Sequence, residues 1–405
     1  MLELVSDSLN PARTGLLHRD GDNVTIAREI TQGNRRYVPI DADPGLLRQL
    51  RLPIKDLPCG PTAELVDQVS SIFTETTEVG GGHAFLAAVF AMASFFSDCL
   101  QTQLCLWLFG SANTEAMPLL RVLSWFCWHP LLLVDDFGRD DLPEKLTTTR
   151  FFYAPRPSAK LRKLITNLQA PGFGVFLNGS LRESRGAIVI YSGPTDLGGA
   201  CDGPCLRIPV APARRLLRPG DEKRYRAAVE EVRAKLLNYR LVNYHAVQSS
   251  AFDATNLAGP TREVARGLGA CLIDAPDLRD RLIALLRDED ESLRMERSAE
   301  MSPVLESLIL FCHERRPAVH VGEIASTASD ILSARGEWGA LSSKESGNKL
   351  KLLGFRTTRL DAGGRGIRLT RDICARIHRT AKAFGVPASE KGLPGCPDCK
   401  QMLDQ

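Results

Sequence analysis

Between residues 104 and 210 short apolar runs recur six times: Leu104–Phe109, Leu131–Val134, Arg150–Tyr153, Gly174–Leu177, Ala187–Tyr191 and Leu206–Val210. A strand with one wet face alternates apolar and polar residues. A run that is apolar at nearly every position needs cover on both faces, which is the condition of a parallel sheet layered between helices. Helical patterns lie between some of these runs, so residues 61–220 are expected to form an α/β core.

The flanking segments have other textures. Residues 1–60 read as a small extended region, with strand-like runs at Val24–Ala27 and Arg36–Ile40 and turn signals between them. Thr62 stands where an N-cap would open the amphipathic helix AELVDQVSSIFTET. The run Ala84–Phe96 is thirteen apolar residues long; a membrane-spanning helix needs about 20, so a buried core helix is expected. Residues 221–314 carry apolar positions at three- and four-residue spacing almost throughout, as a helical subdomain would. Residues 315–385 give a short strand at Ala318–Val321, a helix, a second helix capped by Leu341-Ser-Ser, a hairpin with the turn Asp-Ala-Gly-Gly-Arg-Gly, and a last helix. That is the order of a winged helix-turn-helix with its own apolar positions, expected to fold alone. Residues 386–405 are a Gly/Pro-rich tail.

Charge is unevenly spread. The whole chain has a net charge of only +3. Residues 315–405 hold 16 Lys and Arg against 9 Asp and Glu, and Lys344–Lys382 holds 11 against 3. The first ten residues, MLELVSDSLN, are acidic where a secretory leader is basic. Several of the eleven cysteines sit inside apolar runs. Both features fit a reduced, cytoplasmic protein with no membrane segment.

Leu104–Leu120, LCLWLFGSANTEAMPLL, has the frame of a phosphate-binding loop: a hydrophobic strand ending in Gly, a polar loop, then a helix. The pattern G-x-x-x-x-G-K-[ST] starts well at Gly110, with Ser111, Ala112, Asn113 and Thr114 in its variable positions. Glu115, Ala116 and Met117 then stand where Gly, Lys and Ser/Thr belong. Glu115 brings a like charge to the phosphates, Ala116 removes the cation, and Met117 removes the Mg²⁺ hydroxyl. ATP and Mg²⁺ are therefore not expected as cofactors. A metal-holding carboxylate at a strand end is best matched by Asp135 and Asp136, although they follow the next sequential strand. The strand Arg150–Tyr153 has the better spacing and ends in Ala154-Pro155, which hold no metal.

From about 60 to 399 the chain resembles bacterial and phage-like P-loop ATPases of the helicase/primase-associated type with a C-terminal winged helix. The residues behind this are the LWLFG strand and loop (107–110 with Leu106), the helix ending before HPLLL, the runs VFLNG and AIVIYSG, the LLNYRLVN helix, and FCHERRPAVHVGEIA leading to LSSKESGNKLKLLGF. The resemblance implies an AAA+/RecA-like parallel sheet, an ATP-binding first domain and a DNA-binding last domain.

The candidate DNA-binding residues are Lys344, Asn348, Lys349 and Lys351 on the second helix and Arg356, Arg359, Arg365 and Arg368 around the hairpin. An Asn on such a helix reads adenine bidentately, and cations meet phosphates. Protein docking is the other use of such a module. Cys396 and Cys399 form a C-x-x-C, half of a zinc site, with Cys201 and Cys205 as one source of the other half; free thiols are the preferred reading. Taken together, the chain is expected to be a duplex-DNA-binding, catalytically degenerate ATPase-like scaffold or regulator, with a protein partner in a replication or mobile-element complex. The alternatives are an active helicase-type motor with a non-standard site and a winged-helix transcriptional regulator.

Overall fold

The computed structural model describes residues 1–7, 13–21, 23–39, 44–77, 79–110, 116–134, 148–169, 174–177, 180–183, 186–193, 204–210, 221–257, 259–336, 340–360, 364–384 and 386. They form two compact units, Met1–Arg287 and Asp288–Gln405. The division falls inside a helix of the 221–314 stretch that the sequence reading treats as one subdomain.

The first unit opens with β1 (Leu2–Ser6), β2 (Thr14–Asp20) and β3 (Asn23–Ala27), paired antiparallel in that order. A small hairpin of β4 (Ile30–Gln32) and β5 (Arg35–Tyr37) and the short helix α1 (Pro44–Leu50) follow. Next come α2 (Thr62–Thr76) and α3 (Gly81–Ser94). α3 is apolar on all sides, and every residue from Ala84 to Ser94 is buried, as a helix without a polar stripe requires. Thr62 is not the N-cap of α2: Pro61 holds that place, and the Thr62 hydroxyl is spent on Asp274 and, at 3.1 Å, the Tyr239 hydroxyl.

Then follow β6 (Cys105–Phe109), α4 (Ala116–Phe126), β7 (Pro130–Val134), β8 (Thr149–Tyr153), α5 (Ala159–Gln169), β9 (Gly174–Leu177), β10 (Ser180–Glu183), β11 (Ile188–Ser192) and β12 (Leu206–Pro209). Five of these strands make one sheet in the order β12-β6-β11-β8-β7, every pair parallel. Alternate residues serve two cores. Leu106, Leu108, Phe151, Val189 and Tyr191 face the core that holds α2, α3 and α4. Cys105, Trp107, Phe152, Ile188 and Ile190 face α5 through Leu161, Leu164, Ile165 and Leu168. Both faces are covered, which is why the runs do not alternate.

The fourth apolar run departs from expectation. Gly174–Leu177 stays out of the large sheet and pairs antiparallel with β10, Leu177 opposite Ser180. The sequence between them is Asn178-Gly179, the two-residue signal of a tight hairpin. A strand whose partner begins three residues beyond its end has its ladder satisfied locally.

The rest is α6 (Asp221–Gln248), α7 (Gly259–Ala270), α8 (Pro276–His313), β13 (Ala318–His320), α9 (Val321–Ala334), α10 (Ser343–Leu352), β14 (Thr358–Arg359), β15 (Arg365–Arg368) and α11 (Arg371–Ala383). In the second unit β13, β15 and β14 form an antiparallel sheet in that order. Its core unites Val319, Ile324, Leu350, Phe355, Ile367 and Ile377 with Val304, Leu305, Leu308, Ile309 and Phe311 of α8. The expectation that 315–385 folds alone omits that α8 contribution. Among the described residues no helix is long and apolar enough to cross a membrane.

Candidate nucleotide frame and nucleic-acid interface

Because the five strands are parallel, their carboxyl ends lie along one edge, the place where open α/β sheets bind ligands. β6 is internal, between β12 and β11. The described residues ending the strands are Phe109-Gly110, Val134, Tyr153–Arg156, Ser192-Gly193 and Pro209-Val210, and none is a carboxylate. Their backbone amides are already engaged: Gly110 N–H donates to Ser192 O (3.3 Å), Ala154 N–H to Tyr191 O (3.1 Å), Val210 N–H to Phe109 O (2.7 Å) and Gly193 N–H to Pro155 O (3.3 Å). The Ser192 hydroxyl accepts from Trp107 Nε1 (2.9 Å) and donates to Gly193 O (3.0 Å). The Arg207 guanidinium stacks on Trp107 and Phe109, 4.8 and 5.2 Å from their ring centres.

Ala116 opens α4 fully buried in the main apolar core, and Met117 packs against the same core. A phosphate-binding Lys would have to project from that start into solvent. The described residues of the frame therefore do not fit Mg-ATP. Ser111, Asn113, Thr114 and Glu115 lie outside the described residues, as do Asp135, Asp136, Cys396 and Cys399. Val134, the last described residue before Asp135, ends β7 at the sheet margin, three strands from β6; at about 4.8 Å per strand that is roughly 14 Å. Ala154, by contrast, ends β8, two strands from β6. Cys205 is buried, its Sγ 3.3 Å from Cys105 Sγ, and is not presented to a zinc ion. No group of His, Cys, Asp and Glu among the described residues is arranged to hold a metal. The buried thiols are poor nucleophiles: burial pushes Cys99 up to about 11 and raises Cys127 and Cys271 further.

In the second unit, α10 begins at Ser342, whose hydroxyl accepts from Glu345 N–H (3.2 Å) while Glu345 accepts from Ser342 N–H (2.9 Å). This reciprocal cap fixes the start of the helix. Ser346, Leu350 and Leu353 turn inward. Three- and four-residue spacing then puts Lys344, Asn348 and Lys351 together on the outer face, and all three are exposed. Lys349 lies on the flank and is half-buried. Leu352, 72% exposed, joins the outer face; sequence reading missed it because an apolar residue near a helix end reads as core.

The hairpin approaches the same face. Lys344, Asn348 and Arg365 line one cleft of about 500 Å³ with His320, Ser343 and Thr357. Arg365 is held by Thr357, its Nε donating to the hydroxyl (3.2 Å) and its Nη2 to the carbonyl (2.9 Å). Arg359 pairs directly opposite Arg365 and shares its side of the hairpin. Arg368, three positions on, falls on the other side by the two-residue period and pairs across to Ala318. Arg356 is exposed beyond the end of α10.

No family model matches the chain. No curated protein matches it either. Among solved structures, it is similar to a full-length MCM homolog from Methanopyrus kandleri at 10% identity and TM-score 0.36, covering 71% of this chain and 75% of that one. It is similar to the NrS-1 C-terminal region at 9% identity and TM-score 0.34, covering 91% and 97%. Drosophila ORC bound to DNA gives 9% identity and TM-score 0.18, covering 87% and 96%. Likeness this remote adds nothing to the strand order as a description of the fold.

Proposed function

We propose that the chain is a DNA-binding protein whose second unit is a winged helix-turn-helix and whose first unit is a P-loop ATPase-like core with a degenerate nucleotide site. It acts as a scaffold or regulator with replication or mobile-element partners. One observation carries the DNA reading: Lys344, Asn348 and Lys351 share the open face of α10, and Arg365 closes on it across the cleft. Two lysines and an arginine there meet phosphates, and Asn348 between them is placed for a base edge. The degenerate reading of the core is supported by Ala116 in the apolar core and Ala154 at the strand end.

The test is a fluorescence-anisotropy titration of the full chain with labelled duplex DNA, beside a Lys344→Ala, Arg365→Ala variant. Binding by the native chain and its loss in a folded variant are expected. Equal binding by both overturns the interface, and no binding by either favours the protein-docking use of the module.

A further inference from the structure

Helix α6 buries two arginines seven residues apart, Arg233 and Arg240, two turns along one stripe. Arg240 is fully compensated: its guanidinium bonds Glu3 at 2.6 Å and Asp98 at 2.8 Å through two nitrogens. Arg233 is buried to the same degree, 8% exposed, yet has no carboxylate in contact among the described residues, and its Nε has no hydrogen-bond partner at all. Its strongest charged neighbour is another cation, Arg51. Burial and Arg51 together push the guanidinium down to about 9. A buried guanidinium with no carboxylate in contact is a costly arrangement for a protein to keep empty.

Arg233 forms part of the wall of a cleft of about 900 Å³, between residues 47–57 and residues 226–234 of α6. The cleft is built firmly: Ser6 N–H donates to Pro53 O (2.9 Å), Leu57 N–H to Ala234 O (3.3 Å) and Cys59 N–H to Asn238 Oδ1 (3.3 Å). Trp125 of α4 lines it as well, and its indole Nε1 is also buried without an acceptor. Arg48, Arg51, Lys55 and Arg226 add positive charge. Among the described residues the lining carboxylates are Glu230 and Glu231, and Glu231 is occupied by Lys235 at 2.6 Å. The remaining lining is apolar, chiefly Leu52, Pro53 and Ile54.

We propose that this cleft binds a nucleotide, its phosphates toward Arg233 and its base on the Ile54 and Trp125 side. The Arg233 guanidinium, on the cleft wall with no carboxylate in contact among the described residues, calls for an anionic ligand. The excess of cations calls for more than one negative charge. The apolar wall and the volume call for a ring system in addition to phosphate, within the usual size of small-molecule sites. The site is distinct from the strand-end frame: Trp125 lies nine residues along α4 from Ala116, about 13 Å at 1.5 Å per residue.

The full-length chain is titrated calorimetrically with ATP, AMP and pyrophosphate, and its melting temperature is followed with each. ATP is expected to bind tightest and to raise the melting temperature. Arg233→Met is expected to weaken ATP at least tenfold while raising the melting temperature of the unliganded chain, because the uncompensated charge is gone. Should that variant not fold, Arg48→Gln with Lys55→Gln on the exposed rim is expected to weaken ATP severalfold. No binding of any probe at millimolar concentration overturns the proposal. So does pyrophosphate binding as tightly as ATP, or native affinity in the folded variants. Loss of ATP binding in Asn113→Ala, Thr114→Ala with Arg233→Met unaffected assigns the ligand to the strand-end loop instead.

Discussion

Arg365 offers the sharpest quantitative test of the DNA interface. Four cations converge on the open side of the module: Lys344 and Lys351 on α10, Arg365 on β15, and Arg359 directly opposite it. Each phosphate neutralised releases counterions, so log K falls with log salt at about 0.9 per contact. Four contacts predict a slope near −3.6, roughly a hundredfold loss of affinity between 50 and 200 mM salt. Arg365→Ala removes one contact and moves the slope to about −2.7, equally for all duplex sequences. Lys349→Ala is the internal control, because Lys349 sits half-buried on the flank and outside the cleft; it should leave the slope unchanged. Anisotropy titrations at a series of salt concentrations read all three slopes. A slope that Arg365→Ala leaves intact, or that Lys349→Ala lowers as much, refutes the assignment of faces.

The other predictions concern specificity, chemistry and stability. Asn348→Ala should relax preference at one base position by about 1–3 kcal/mol while keeping the salt slope, checked by competition with single-base variants. The purified chain should hydrolyse ATP no faster than background, and turnover stimulated by DNA that vanishes on changing residues 110–117 would contradict this. Gly366→Ala should disrupt the second unit, since an added Cβ would meet Val319 O at 2.3 Å, and native urea unfolding of the variant would refute that packing. Glu345 is held below the ordinary carboxylate value first by its hydrogen bond from the Ser342 hydroxyl. Its stabilisation is therefore present above 4.5 and lost as pH falls through the lower folded value, so Glu345→Gln should flatten the acid limb of the unfolding curve.

Much of the fold was legible because local chemistry and tertiary demand agree. Five of the six apolar runs became the parallel sheet, and Gly174–Leu177 stayed out of it because Ser180–Glu183 is a nearer partner. The order strand, helix, helix, hairpin, helix after residue 315 was readable from the Ser342 cap and from the glycine-rich sequence around Gly364. What was not legible lies in contacts between distant residues. Glu3 meets Arg240 across 237 positions, and no periodicity announces it. The buried Arg233 did leave a trace, a charge on the apolar stripe Val229, Val232, Leu236 and Leu237, but an arginine on a helix reads as surface until its neighbours are known. The edge of the second unit was misjudged for the same reason: α8 looks like one more amphipathic helix of its stretch, and only the packing assigns Val304–Phe311 to the later core.

That last point has an energetic consequence for how the second unit can be cut. A chain beginning at residue 315 lacks Val304, Leu305, Leu308, Ile309 and Phe311, each nearly or fully buried. At about 1.5–3 kcal/mol for each buried side chain, the loss is roughly 7–15 kcal/mol. The whole stability of an ordinary domain is about 5–15 kcal/mol. The fragment 315–385 should therefore be unfolded, with an exposed patch where Leu350, Phe355 and Ile377 lose their cover. A fragment of residues 288–386 keeps the α8 contribution and should melt cooperatively. Circular dichroism melts of the two fragments decide the matter. Cooperative unfolding of 315–385 at the temperature of the longer fragment would show that α8 only leans on the module, and would shift the source of its stability to the β13-β15-β14 sheet and the helices packed on it.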